Sequence, residues 1–194
     1  MSRVLACLLA ILLLSGLDAA PIPKTTPKET KLYFPTTVGS KWVYQSEDGE
    51  YTEVVKDVVN KEKERCWIVS VSRVDKDGKE VPSKEWEVSE GALILTKSAV
   101  SPKKRLAWPH LLLPHNPGKQ WQFLPESDSH PCVAIKPQRV KVPAGEFDAV
   151  GVELYSGRQL VETKWYAIGI GLVKRTDLDG KVDLELKSFT RDKE

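Results

Sequence analysis

The chain lacks most of what would announce a reaction. It has three cysteines, three histidines and four phenylalanines. It contains no His-Glu-x-x-His pair that could hold zinc from a helix, and none of Ser70, Ser72, Ser129 and Ser156 sits in a Gly-x-Ser-x-Gly elbow. Gly169 and Gly171 are not followed by a helix whose N-terminus could hold a phosphate. No charge of one sign dominates either. Twenty-nine basic against 27 acidic residues leave a formal +2, and opposite charges alternate, as at Lys56-Asp57 and Lys76-Asp77. No cationic stripe suited to counterion release exists, so nucleic acid is not an expected partner. No long window carries helical periodicity, and no apolar run, the N-terminal stretch included, is long enough to cross a bilayer.

What is present begins with an export signal. Arg3 supplies a positive start, and Val4 to Leu14 form an apolar stretch too short to span a membrane. Residues 1–20 read as a signal peptide, cleaved between Gly16 and Ala20. Residues 21–31, rich in Pro, Thr and Lys, read as a flexible leader with little to bury. One domain is expected over residues 32–194. Cys7 has no apolar run before it, so lipid anchoring there is not expected. Loss of Arg3 with Asp18 leaves the net charge unchanged.

Export leaves Cys66 and Cys132, and an even count in an oxidising compartment favours a bridge. Closing so long a loop would stabilise the fold by roughly 4 kcal/mol, provided the Cα atoms lie within about 7 Å. The alternative is two buried free thiols.

One phrase occurs twice with identical gaps: Pro35, Gly39, Trp42, Tyr44 and then Pro114, Gly118, Trp121, Phe123. It reads as an internal repeat in which a turn launches a strand with two aromatics on one face. Asp48-Gly49, Asp77-Gly78 and Asp179-Gly180 each suit the positive backbone angles of a two-residue hairpin turn. They predict hairpins joining 41–46 to 50–59, 66–74 to 79–89, and 172–176 to a strand in which Val182, Leu184 and Leu186 alternate with polar residues. Further strands are expected at 92–97, 121–124, 138–142, 150–155 and 161–167. Gly145, Gly169 and Gly171 are expected at turns or bulges. Residues 98–137 form a Pro-rich excursion that holds all three histidines; within it, residues 105–113 can be at best an edge strand broken at Pro109.

Catalytic constellations are weak. His110, His115 and His130, with Asp128 nearby, could serve a metal-assisted hydrolase, but their spacing fits no helix-borne pair, and solvated loop histidines are the plainer reading. Glu85, Glu87, Glu90, Glu153 and Glu162 read as a wet sheet face. No catalytic residue, metal ligand or cofactor is assigned. Six tryptophans either fill the core or line a pocket. The candidates for ligand contact are Trp42, Tyr44, Trp121, Phe123 and Trp165, with Trp108 as an exposed patch or lid.

The run Val142, Pro143, Ala144, Gly145, Phe147 and the later run Trp165 to Lys174, together with the doubled phrase, resemble uncharacterised exported bacterial proteins and lipoproteins that carry a VPAG-phenylalanine turn and a WYAxGxGLVK strand pair. The resemblance spans most of residues 32–189. It implies a curved antiparallel sheet akin to the open half-barrel of periplasmic lipoprotein carriers, and it implies no activity.

The reading that results is an all-β domain with little helix: a curved antiparallel sheet, half-barrel or open barrel, with its indole rings on the hollow side. The expected role is non-catalytic binding or interaction in the periplasm or outside the cell, with an apolar ligand or an envelope protein as partner. A metal-assisted hydrolase and a purely structural envelope module are the alternatives.

Overall fold

A computed structural model describes residues 32–74, 78–101, 103–124 and 129–192. The signal, the leader, Asp77, Asp128 and two of the excursion's prolines lie outside these. Among the described residues the regular elements are twelve strands and one 3-10 turn at Glu62–Glu64. They are β1 (Lys41–Ser46), β2 (Gly49–Lys61), β3 (Cys66–Val74), β4 (Glu80–Ser89), β5 (Ala92–Ser98), β6 (Trp108–Leu112), β7 (Gln120–Gln122), β8 (Pro131–Val142), β9 (Gly145–Ser156), β10 (Gln159–Ala167), β11 (Gly171–Asp177) and β12 (Val182–Thr190).

All twelve belong to one sheet in the order β6-β5-β4-β3-β2-β1-β12-β11-β10-β9-β8-β7. Every ladder is antiparallel. Chain neighbours pair throughout except β6 with β7, while β1 pairs with β12 and seats the two ends of the domain in mid-sheet. The result is a curved, nearly closed barrel with one seam, between the edge strands β6 and β7. Side chains cover that seam. Trp121 Nε1 donates to the Pro109 carbonyl at 2.8 Å, and Phe123 packs on Trp108 and His110 with ring centroids 5.5 and 5.0 Å apart. The tip of the β8–β9 hairpin bends in toward β12, where Ala144 N donates to Leu186 O.

Alternation explains the core. Trp42 and Tyr44 on β1, Val69 and Val71 on β3, Trp86 and Val88 on β4, and Leu184 and Leu186 on β12 are all buried, and each pair is two residues apart on its strand. Trp42 donates from Nε1 to Ile170 O at 2.7 Å, and Tyr44 donates to Leu172 O at 2.9 Å, so β1 is tied across β12 to β11. Prolines sit where a missing donor is tolerated. Pro109 lies on an edge strand, and Pro137 falls where the β8 register shifts between Ile135 and Gln138.

Two expectations about the fold need correction. Cys66 and Cys132 are both free and buried. The bridge assumed Cys132 in a loop, but β8 starts earlier than predicted, at Pro131, and places Cys132 in a ladder opposite Trp121 and Leu154; Cys66 lies on β3, several strands away in either direction around the barrel. The Asp-Gly turns also differ from the expected form with positive φ at both residues. Arg65 is the only described non-glycine with positive φ, so only the glycines carry the left-handed angle, at 109° for Gly49 and 80° for Gly180. At Gly180 this makes a G1-type bulge, with Gly180 N donating to Asp177 O and Asp177 N to Lys181 O, whereas Gly49 stands directly opposite Ser46 across Glu47 and Asp48.

The doubled phrase makes one turn twice. Gly39 and Gly118 have φ of 85° and 87°, and Ser40 N to Thr37 O and Lys119 N to Asn116 O close the turns at 3.2 and 3.0 Å. Both glycine amides then donate to the next strand, to Val55 O and Ala134 O. There the likeness ends: β1 is central with Trp42 1% exposed, whereas β7 is a three-residue edge strand with Trp121 half-buried.

Candidate functional site in the hollow of the sheet

The interior is not uniformly apolar. Strand parity places Tyr51 and Glu53 of β2, Lys84 and Trp86 of β4, Lys164 and Tyr166 of β10, and Arg175 of β11 around one cavity of about 140 Å³. Larger hollows, of about 570 and about 460 Å³, are open troughs rimmed mostly by charged side chains. Phe34 and Tyr44 add aromatic surface to the interior cavity, and His110 of the edge strand β6 completes it at the seam side.

Each charge around the hollow has an opposite partner. Lys84 Nζ lies 2.6 Å from Glu53 Oε1, and Glu53 is only 6% exposed. Lys164 pairs with Glu162, whose other oxygen is 3.8 Å from Arg175. Arg175 Nε reaches both oxygens of Asp183, at 3.0 and 2.9 Å. Buried ions need such partners because desolvation of an isolated charge costs more than a fold can supply. The tyrosines remain neutral hydroxyls. Burial, then the Glu53 charge, pushes Tyr44 well above the usual phenol value and Tyr51 to about 12; burial, then Glu162, raises Tyr166.

His110 is held neutral. Burial, then the ammonium groups of Lys164 and Lys84, lowers its pKa well below the ordinary imidazole value. Its Nδ1 lies 3.3 Å from the Tyr166 hydroxyl. With that hydroxyl donating to Nδ1, the proton of the neutral ring is assigned to Nε2. Nε2 is shut off from solvent without a protein partner, and so is the Nε1 of Trp86. The two rings meet edge to face with centroids 4.9 Å apart.

The residues singled out in the sequence fall in different places. Tyr44 lines the cavity. Trp42 is packed beneath Phe34 and Phe189 as core. Trp121, Phe123 and Trp108 cover the seam, and Trp108 is half-buried against Phe123 rather than an exposed patch. Trp165 corrects the expectation that the indoles gather inside. It lies between the cavity-lining Lys164 and Tyr166 and therefore faces the other side of β10, beside Gly151 and the ammonium of Lys174. Gly39, Gly118, Gly145, Gly169 and Gly171 all have φ between 71° and 132°.

The three histidines have three separate partners. His110 meets Tyr166, His115 Nε2 is 3.0 Å from Gly151 O, and His130 Nδ1 is 2.9 Å from Ser129 Oγ. Among the described residues no group of three or more His, Cys, Asp or Glu side chains could hold a metal ion. Burial raises the Cys132 thiol to about 12, which leaves it a poor nucleophile at neutral pH.

Glu53, Lys84, Lys164 and Arg175 were missed by sequence reasoning, and Glu162 was read as wet surface. A usable signal existed. Tyr51, Glu53 and Val55 share one face of β2, as do Lys84, Trp86 and Val88 on β4, so each charge occupies an inward register position beside apolar neighbours.

Comparisons with known proteins add the fold. No family model matches the chain, and no curated protein matches it. Two solved structures resemble it. One is a protein from Bacteroides fragilis assigned as exported, with a YmcC-like fold; it is 14% identical, covers 83% of this chain and 100% of its own, and has a TM-score of 0.53. The other, from Parabacteroides distasonis and assigned as a lipoprotein, is 16% identical, covers 82% of this chain and 99% of its own, and has a TM-score of 0.50. At these identities the likeness concerns the fold alone.

Proposed function

We propose that the protein is an exported, non-catalytic binding domain whose ligand group sits in the hollow of the curved sheet. Export is supported by the N-terminal signal pattern and by the assignment of the two structural neighbours as an exported protein and a lipoprotein. Binding is supported by one observation above the rest: two residues that line the cavity, Trp86 and His110, each carry a buried nitrogen, Nε1 and Nε2, that no protein group satisfies. Buried polar groups are nearly always hydrogen-bonded, so an unsatisfied pair on cavity-lining residues points to a partner from outside the chain.

The size of the hollow limits what enters. At about 140 Å³ it has room for roughly four or five waters' worth of volume, well below the several hundred Å³ typical of sites that swallow a whole drug-sized ligand. It suits one end of a molecule, with the apolar remainder, if there is one, lying toward Phe34 and Leu95.

Native mass spectrometry of protein purified from its own source tests this reading. The expected result is a stoichiometric small-molecule mass that disappears in Leu95→Trp, a substitution that fills the cavity. Bare protein mass in the wild type, or an adduct retained by a folded Leu95→Trp variant, would contradict it.

A further inference from the structure

The pair of unsatisfied nitrogens and the charges behind them specify the kind of atom that belongs in the hollow. Trp86 Nε1 can only donate. His110 Nε2 donates as well, once its other nitrogen accepts from the Tyr166 hydroxyl at 3.3 Å. Two residues of the cavity lining therefore each carry an N–H group that has no acceptor within the chain. Two ammonium groups bear on the same place: Lys84, one turn of the alternation from Trp86 on β4, and Lys164, two residues from Tyr166 on β10, both of which line the cavity.

Resting on the reading of the hollow as a binding site, we infer that it takes an oxyanion group, the carboxylate or phosphate end of a ligand, held by Trp86 Nε1–H and His110 Nε2–H between the ammonium groups of Lys84 and Lys164. A carboxylate accepts several hydrogen bonds at once, and charge-assisted bonds of this kind are stronger than neutral ones. Room for a few heavy atoms matches such an end group. The neutral state of His110 also fits: flanked by two ammoniums, the imidazole cannot be the cation of the site, and it contributes a dipole instead.

Glu53 supplies the discriminating feature. It lines the cavity and engages Lys84 Nζ at 2.6 Å, so it occupies the cation that an incoming oxyanion needs. An oxyanion must share Lys84 with Glu53. Removing the Glu53 charge should therefore tighten binding, an effect opposite to what loss of a merely structural ion pair would give.

The test is an NMR titration of the intact mature protein, following the Trp86 indole N–H, with acetate and inorganic phosphate in separate arms and acetamide as the neutral control at matched ionic strength. Saturable movement of that resonance by acetate or by phosphate is expected, and whichever acts identifies the head group; acetamide should bind at least tenfold more weakly. Lys164→Met should weaken the effective anion at least tenfold, and Glu53→Gln should tighten it several-fold. If Glu53→Gln does not fold, the wild-type and Lys164→Met titrations decide alone. Absence of saturation with both anions, or equal response to acetamide, overturns the inference. A retained neutral ligand in native mass spectrometry together with that outcome would sink the oxyanion but keep the binding site; bare protein in both would sink both.

Discussion

The Trp121 indole donates to the Pro109 carbonyl at 2.8 Å across the one place where the barrel has no ladder. A side chain on one sheet edge thus takes over part of what backbone pairing does elsewhere. The edge strands are too short and too proline-broken to zip, and the seam is covered by Trp108, His110, Trp121 and Phe123. This also protects the exposed edges that an open sheet would otherwise present to other chains.

Trp121→Phe removes the donor and keeps most of the ring. It is expected to cost about 1 kcal/mol in urea unfolding, the usual net value of one hydrogen bond. Amide exchange in β5 and β6 should accelerate several-fold while β1 and β12, in mid-sheet, stay unchanged. Uniform exchange across all four strands would show that the seam is not a separate closure.

Gly151 of β9, opposite Trp165 of β10, leaves no room for a side chain. A Cβ there would fall 2.5 Å from Ile135 Cγ1 and 3.3 Å from Trp165 Nε1. Gly151→Ala is therefore expected to destabilise the protein by about 1–3 kcal/mol through overpacking. Denaturant unfolding of Gly151→Ala beside the double variant Gly151→Ala with Ile135→Val should recover part of the loss in the double variant.

The cysteines should behave as two buried thiols. Burial raises Cys132 to about 12, and burial followed by the charges of Glu87 and Glu64 raises Cys66. Native protein is expected to react with a thiol reagent at least a hundredfold more slowly than a small free thiol. Denatured, unreduced mature protein should then titrate two thiols, matching the two free cysteines. A count of zero would mean a bridge and a different arrangement of β3 and β8.

His110 should leave a mark on stability against pH. It is faced by Lys84 and Trp86 from β4, Lys164 and Tyr166 from β10, and Phe123 beyond β7. Because its folded pKa is lowered, the unfolded chain binds the proton first as pH falls. The stability it contributes is fully present above the ordinary imidazole value of about 6.5 and is lost progressively below it, by at most about 1.4 kcal/mol per pH unit for one proton. Subtracting the pH profile of His110→Gln from that of the wild type should isolate this slope. Equal slopes below pH 6.5 would place His110 in water.

How much of this was legible in the sequence depended on the period of the pattern. Val182, Leu184 and Leu186 on β12, or Trp67, Val69 and Val71 on β3, alternate cleanly, and such strands were placed within a residue or two. Where proline interrupts, the rule fails in a specific way. Pro131 and Pro137 argued against a strand, yet β8 runs through both, because one begins the strand and the other sits in a register shift. That error put Cys132 in a loop, where the structure has it in a ladder, and lent support to the disulfide expectation. The site was hidden for a different reason. Glu53, Lys84 and Lys164 are charged residues at inward positions on three strands far apart in the chain, and only closure of the sheet puts them around one cavity.

The most direct test of the binding site is a high-resolution crystal structure of the protein purified from its own source. The expected result is non-protein density in the hollow with an acceptor atom within hydrogen-bond distance, about 3 Å, of both Trp86 Nε1 and His110 Nε2. A hollow holding only discrete waters, or one collapsed so that both nitrogens find partners within the chain, would contradict it.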